Sequence, residues 1–120
     1  LQPGFDKNLN FIPVRGNFAR GIFATVYTKC SLTTPEAKTL YKEFYKDAAF
    51  TFVADKNPDM KQIVNTNKAI VYVEKHGENL LIISMIDNLL KGASGQAVQN
   101  MNLMFGLDEK AGLNLKSIGF

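Results

Sequence analysis

IISMIDNLLKGASGQAVQNMNLMFG, residues 82–106, is the stretch on which the fold turns. Together with Leu80 and Leu81, its opening run is apolar except for Ser84 and shows no alternation. That pattern fits a strand covered on both faces. Asp87 and Asn88 follow at once, and either side chain can accept from the free N–H groups of a first helical turn. Leu90, Ala93, Ala97, Met101 and Met104 then recur at helical spacing, and Gly106 is placed to end the helix. Gly92, Ala93, Ser94 and Gly95 make its first turns nearly smooth. Two glycines in a helix cost about 1 kcal/mol each relative to alanine. Close approach of a backbone or a ligand would offset that cost; tight packing against a sheet is the plainer alternative.

Upstream, residues 1–8 carry Pro3 and Gly4 and read as a connector. Residues 9–14 form a short strand candidate that meets Pro13, so it lies at an edge or stops there. Residues 15–20, RGNFAR, are a loop with two arginines. Residues 21–30 alternate Ile22, Ala24, Val26 with Phe23, Thr25, Tyr27 and predict a strand. Thr34 is expected to cap a helix that has Pro35 at its first position and Glu36 in its first turn. Ala37, Leu40, Tyr41 and Phe44 make its apolar stripe, and it should end near Asp47. Residues 50–53 predict a short strand, residues 55–59 a loop with turn chemistry at Asn57-Pro58, and residues 61–64 a further short strand. Residues 68–75 predict a strand joined to the central one through His76-Gly77-Glu78-Asn79, where Gly77 supplies a positive φ. The tail, residues 107–120, carries Leu113, Leu115, Ile118 and Phe120 and is expected to lie against apolar surface. Two helices among five or six strands, partly paired as hairpins, give an α+β domain.

A chain of 120 residues makes one domain. Its 46% apolar and 21% charged content is ordinary globular composition. The net charge of +3 is small and its 14 basic residues are dispersed, so no nucleic-acid footprint is expected. One cysteine allows no internal disulfide and fits a reducing, cytoplasmic setting. No apolar run approaches the roughly 18 residues of a membrane span, and no signal-peptide pattern opens the chain. The start, Leu-Gln-Pro-Gly instead of Met, points to a piece of something longer.

Residues 86–107, IDNLLKGASGQAVQNMNLMFGL, resemble a signature of the N-acetyl-gamma-glutamyl-phosphate reductases. The D-N-x-x-K-G-A core is also similar to that of aspartate-semialdehyde dehydrogenases; the Q-A-V-Q-N-M-N-L-M-F-G-L run narrows the likeness. Residues 11–27, FIPVRGNFARGIFATVY, resemble a second segment of the same family, F-x-P…R-G-I-x-A-T. The resemblance covers most of residues 11–113, and only the C-terminal part of the family's chain. It implies the C-terminal domain of a glyceraldehyde-3-phosphate-dehydrogenase-like fold, a largely antiparallel mixed sheet with helices on one face. The other face would help form a homo-oligomer, and the last helix would return to a nucleotide-binding domain. It also implies an arginine-biosynthesis enzyme that reduces an acyl phosphate to a semialdehyde with NADPH.

That reaction needs a thiolate to attack the acyl phosphate, a histidine to manage the proton and a dinucleotide on a Rossmann domain to deliver hydride. The chain has no G-x-G-x-x-G and no βαβ run, so its own Rossmann domain is an implied partner. Cys30, in T-K-C, reads as a half-buried structural cysteine, and His76 as a solvated turn residue. In the family both catalytic groups belong to upstream motifs, so the chain alone is expected to be inactive. By resemblance Asn88, just after the last strand, would meet the carboxamide of NADP, with Gly92 and Gly95 letting the cofactor or the nucleotide domain come close and Lys91 neutralising phosphate charge. A plain helix cap, packing and a solvated lysine are the corresponding structural readings. Arg20, within the R-G-I element, and Arg15 are the candidates for the substrate's phosphate or carboxylate, because guanidinium matches both in bidentate fashion. An ion pair is the alternative for Arg20. Residues 65–67 are a further stretch that could line the pocket. No metal-ligand spacing is present, and GASGQ lacks the ending of a P-loop. Two other readings stay open: the same domain of a related acyl-phosphate or semialdehyde dehydrogenase, and a stand-alone interaction module.

Overall fold

The computed structural model describes residue 4 and residues 6–117. Among the described residues, four strands and two α-helices follow in the order β1 (Ile22–Lys29), α1 (Thr34–Phe44), β2 (Thr51–Val53), β3 (Ala69–His76), β4 (Asn79–Ile86) and α2 (Gly95–Met104). They build one mixed sheet of order β1-β4-β3-β2. β4 runs antiparallel to both β1 and β3, and only the β2–β3 pair is parallel.

β4 is central, as its unbroken apolar run requires. Leu80, Leu81, Ile83 and Met85 are buried, and Ile82, Ser84 and Ile86 are half-buried. Register follows from the β3–β4 hairpin, whose two-residue loop has Gly77 at φ 58°. Positive φ at the first loop residue is the requirement of a tight hairpin turn that matches strand twist. On one face Val71, Val73 and Leu80 pack with Ala37 of α1, flanked by Cys30, Leu32, Tyr41 and Tyr45. On the other, Tyr72, Leu81, Ile83 and Met85 pack under Ile63 and Val64.

Some expectations need correction. The cap of α1 is Thr33, not Thr34. Its hydroxyl accepts from the Glu36 N–H (3.4 Å) while the Glu36 carboxylate accepts from the Thr33 N–H (2.7 Å). This reciprocal box requires the acid three positions after the cap, which Thr33 provides and Thr34 does not. The helix stops at Phe44, before Asp47, where Tyr45 leaves helical geometry. Residues 61–64 are not a strand: Asp59 caps a single 3-10 turn, Met60–Gln62, by accepting from the Lys61 N–H at 2.9 Å. Residues 9–14 form no strand either; they are exposed, and Pro13 removes a donor any ladder would need.

The stretch after β4 departs most from a simple helix. Leu90–Ser94 is a π-helical turn, with Gly92 N–H to Asp87 O (2.9 Å) and Ser94 N–H to Leu89 O (3.2 Å). α2 then buries Gly95, Gln99 and Asn102, and leaves Met101 and Met104 exposed. The apolar stripe read from the sequence therefore faces outward among the described residues. In the tail, Leu113 is buried beside Phe50, while Leu115 stays partly exposed; Ile118 and Phe120 lie outside the described residues.

Candidate functional site

The Asp87 side chain is fully buried at the end of β4 and gathers three segments. Its Oδ1 accepts from the N–H groups of Leu89 (2.8 Å) and Leu90 (3.0 Å), so Asp87 is the cap of the turn that follows. Its Oδ2 accepts from the Asn65 N–H at 2.7 Å. Arg20, two residues before β1, donates from Nη2 to Asp87 Oδ1 at 3.1 Å and from Nη1 to Asn65 Oδ1 at 2.6 Å. Its Nε lies 3.1 Å from Asp87 Oδ2, but is not aligned to donate there. Asn65 holds a left-handed φ of 65°, a conformation asparagine tolerates better than most residues. Burial alone would push the Asp87 carboxyl up. The N–H groups of Asn65, Leu89 and Leu90, with the Arg20 guanidinium, outweigh it and hold the carboxyl below the usual range.

Asn88 sits beside this hub without capping the turn. Its Oδ1 accepts from the Gly21 N–H at 2.7 Å, stitching the start of β1 to the end of β4. Gly21 has φ 116°, and a Cβ there would meet the Met60 thioether. The acceptor of the Asn88 amide is thus used inside the protein, and its Nδ2 has no partner among the described residues.

The other sequence candidates fall differently. Lys91 Nζ donates to Gln99 Oε1 (2.7 Å) and Gln96 Oε1 (2.8 Å) and lies 5.7 Å from the centre of the Phe50 ring. Burial lowers its ammonium's pKa, with Glu109 partly opposing. Lys91 is therefore turned toward α2's own amides. Gly92 is exposed, and a Cβ there would reach nothing nearer than 3.5 Å, so packing within this chain does not require glycine. Gly95 is different: its Cβ would strike the Asn67 side chain. Arg15 is exposed in the segment before β1 and makes no hydrogen bond or ion pair among the described residues. The structure brings Arg20 and Asn88 together and leaves Arg15 outside.

Sequence reasoning saw Asp87 only as a cap, and Asn65 and Asn67 only as part of a stretch that could line the pocket. The buried amides Gln99 and Asn102 of α2 were missed, because hydropathy marks no buried role for polar residues at helical spacing. Cys30 and His76 lie at the other end of the sheet. Lys29 pairs with Asn79 and Ile22 with Ile86, so an eight-residue strand, on the order of 25 Å, separates Cys30 from Arg20. Cys30 is half-buried against the α1 cluster, and His76 Nε2 is 2.7 Å from Glu74 Oε1 on an exposed hairpin. Among the described residues no three potential metal ligands converge, and no helix is long and apolar enough to cross a membrane.

A mixed sheet flanked by α1, with a buried strand delivering an Asp-Asn pair into a glycine-bearing turn, defines a class. The chain belongs to the semialdehyde dehydrogenase dimerisation domain family, whose pattern matches residues 2–88. Within that class it is similar to proteins named N-acetyl-gamma-glutamyl-phosphate reductase. It is 60% identical to that of Parabacteroides distasonis over 120 residues, all of this chain and 37% of the relative. It is 66% identical to that of Azobacteroides pseudotrichonymphae over 114 residues, 95% of this chain and 36% of the relative. It is 65% identical to that of Christiangramia forsetii over 117 residues, 98% of this chain and 36% of the relative. The chain thus spans a little over a third of the length of these relatives.

Proposed function

We propose that this chain is the C-terminal, oligomer-forming domain of an NADP-dependent reductase that converts N-acetyl-glutamyl phosphate to N-acetyl-glutamate semialdehyde. The observation that carries this reading is 60–66% identity, along at least 95% of the chain, to relatives bearing that enzyme's name. The catalytic thiol, the histidine and the Rossmann domain belong to the remaining two-thirds of such a protein. Residues 1–120 alone turn nothing over.

Asn88 and the turn after it face the cofactor. The residues fit that group: Asn88 Nδ2, without a partner among the described residues, can donate to a carbonyl oxygen, and the open surface at Gly92 admits a close neighbour. NADP, when bound, supplies or accepts the hydride. Lys91, committed to Gln96 and Gln99, holds the turn in place and does not meet phosphate. Arg20 binds the substrate's anionic end through the N–H groups it does not spend on Asp87 and Asn65. Arg15 contributes to that end only if its segment is drawn in by the rest of the enzyme. The shared D-N-x-x-K-G-A core keeps a related acyl-phosphate or semialdehyde dehydrogenase as the second reading.

The test is aldehyde oxidation with phosphate and NADP, comparing the 120-residue chain with the longer protein that carries it. Activity only in the longer protein, lowered there by Asn88→Ala or Arg20→Ala, is the expected result. Activity in the 120-residue chain would overturn the structural reading of Cys30 and His76.

A further inference from the structure

Arg20 is clamped in an unusual way for a residue that reads as a ligand for anions. Its side chain is 30% exposed, whereas the Asp87 carboxylate it touches is fully buried. Asp87 spends most of its acceptor capacity on backbone N–H groups of Asn65, Leu89 and Leu90. Its position is therefore fixed by main chain from two separate segments, not by the arginine. Asn65 is fixed as well, since its N–H is held by Asp87 and its backbone sits at φ 65°. Arg20 then bridges two groups that cannot follow it, Asp87 through Nη2 and Asn65 through Nη1. A guanidinium carries five N–H groups in a rigid plane. Fixing one N–H on each terminal nitrogen fixes the plane, and with it the direction of the second N–H on each.

We infer that Asp87 and Asn65 are positioning residues, which clamp the Arg20 guanidinium so that its two remaining terminal N–H groups stand as a pre-set donor pair for a substrate anion. The inference rests on the reading of Arg20 as the residue that meets substrate. A flexible arginine would lose side-chain freedom on each binding event. A clamped one has lost it already, on folding. The Asp87 charge also offsets that of Arg20, so the site selects an anion by geometry more than by bulk attraction. The anion's chemistry is that of a planar or tetrahedral oxyanion accepting two parallel hydrogen bonds, which both the phosphate and the carboxylate of such a substrate supply.

The experiment uses the full-length enzyme, with KM measured separately for inorganic phosphate and for the semialdehyde in the oxidative direction. Asn65→Gly keeps the left-handed backbone and the N–H that Asp87 accepts from, and deletes only the side chain that holds Nη1. Asn65→Asp keeps an acceptor there. The expected result is a rise of about tenfold in one KM for Asn65→Gly, with kcat changed less than about threefold and Asn65→Asp near wild type. A rise in the phosphate KM places the reacting phosphate at Arg20; a rise in the semialdehyde KM places the carboxylate there. Wild-type KM values in Asn65→Gly, while Arg20→Gln raises one of them, would overturn the positioning role and leave the role of Arg20 standing. Unchanged KM values in Arg20→Gln itself would remove both. Should Asn65→Gly fold poorly, Asp87→Asn is compared in wild-type and Arg20→Gln backgrounds. A KM penalty that disappears once Arg20 is gone supports the clamp, and an equal penalty in both backgrounds refutes it.

Discussion

A methyl group added at Gly95 would run into the side-chain amide of Asn67 and stand 3.0 Å from the carbonyl carbon of Leu90, whereas at Gly92 the nearest atoms are 3.5 Å away. The two glycines therefore have different reasons to exist. Gly95→Ala is expected to lower stability by about 1–3 kcal/mol through overpacking, despite the better helix former. Gly92→Ala is expected to leave stability unchanged or raise it by up to about 1 kcal/mol. Urea denaturation of both variants checks this, and a stable Gly95→Ala would show that Asn67 gives way freely. Asp87 makes a second residue-scale prediction. A carboxyl held below its usual value binds its proton less tightly in the folded than in the unfolded chain. Its stabilisation is complete above the unfolded value near 3.8 and is lost as pH falls through the lower folded value. Asp87→Asn should reduce stability at neutral pH and flatten the fall on acidification below about pH 4. Melting midpoints followed from pH 7 to pH 3 would sink this account if wild type and variant ran parallel. The Asp-Asn pair was legible in the sequence as the mark of the turn after β4. The division of labour was not: Asp87 caps while Asn88 reaches across to Gly21, a choice made by contacts 67 residues apart in the chain.

At the level of elements, α1 rests on local chemistry. The Thr33–Glu36 box satisfies N–H groups that the helix cannot, and Thr33→Ala should cost about 1 kcal/mol in a denaturation experiment. A loss below about 0.3 kcal/mol would mean the box contributes nothing net in this setting. β4 and the β3–β4 hairpin were equally legible, because a doubly covered strand and a Gly-bearing turn each leave a local mark. α2 was legible as a helix but not in its orientation. Its inner face is a hydrogen-bonded set of amides: Asn67 Nδ2 to Gln99 Oε1 (3.1 Å), Gln99 Nε2 to Glu109 Oε1 (2.6 Å), and Asn102 Nδ2 to Ala111 O (3.0 Å). Hydropathy cannot see such a face, since it reports which residues avoid water and not which polar groups have found each other. Gln99 is the shared acceptor of Asn67 and Lys91, so Gln99→Ala should destabilise by about 1–3 kcal/mol by leaving the buried Asn67 amide unmet and Lys91 with Gln96 alone. A variant as stable as the parent would show that water replaces the amide.

For the molecule as a whole, the outward stripe of α2 and the edge strand β1 are two of the apolar surfaces left without cover among the described residues. Met104 is 81% and Phe105 73% exposed at the end of α2; on β1, Phe23 is 48% and Tyr27 65% exposed, on the sheet face opposite α1. Adjacent apolar groups of this kind seldom stay in water, and an unpaired edge invites another chain. A family defined by dimerisation suggests a second copy for one surface, and relatives nearly three times longer suggest the rest of the enzyme for the other. The face opposite α1 is the better place for the second copy, because α2 follows the end of β4 beside Asn88, which on the proposed function is the end that meets the cofactor. Separate substitutions distinguish the two. Met104→Lys with Phe105→Lys should reduce self-association of the 120-residue chain in sedimentation, yet leave the oligomeric state of the full-length protein unchanged while weakening its activity. Tyr27→Lys should lower the oligomeric state of both. If Tyr27→Lys left both assemblies intact and the α2 substitutions dissolved the full-length oligomer, the roles of the two surfaces would be the reverse of those assigned here.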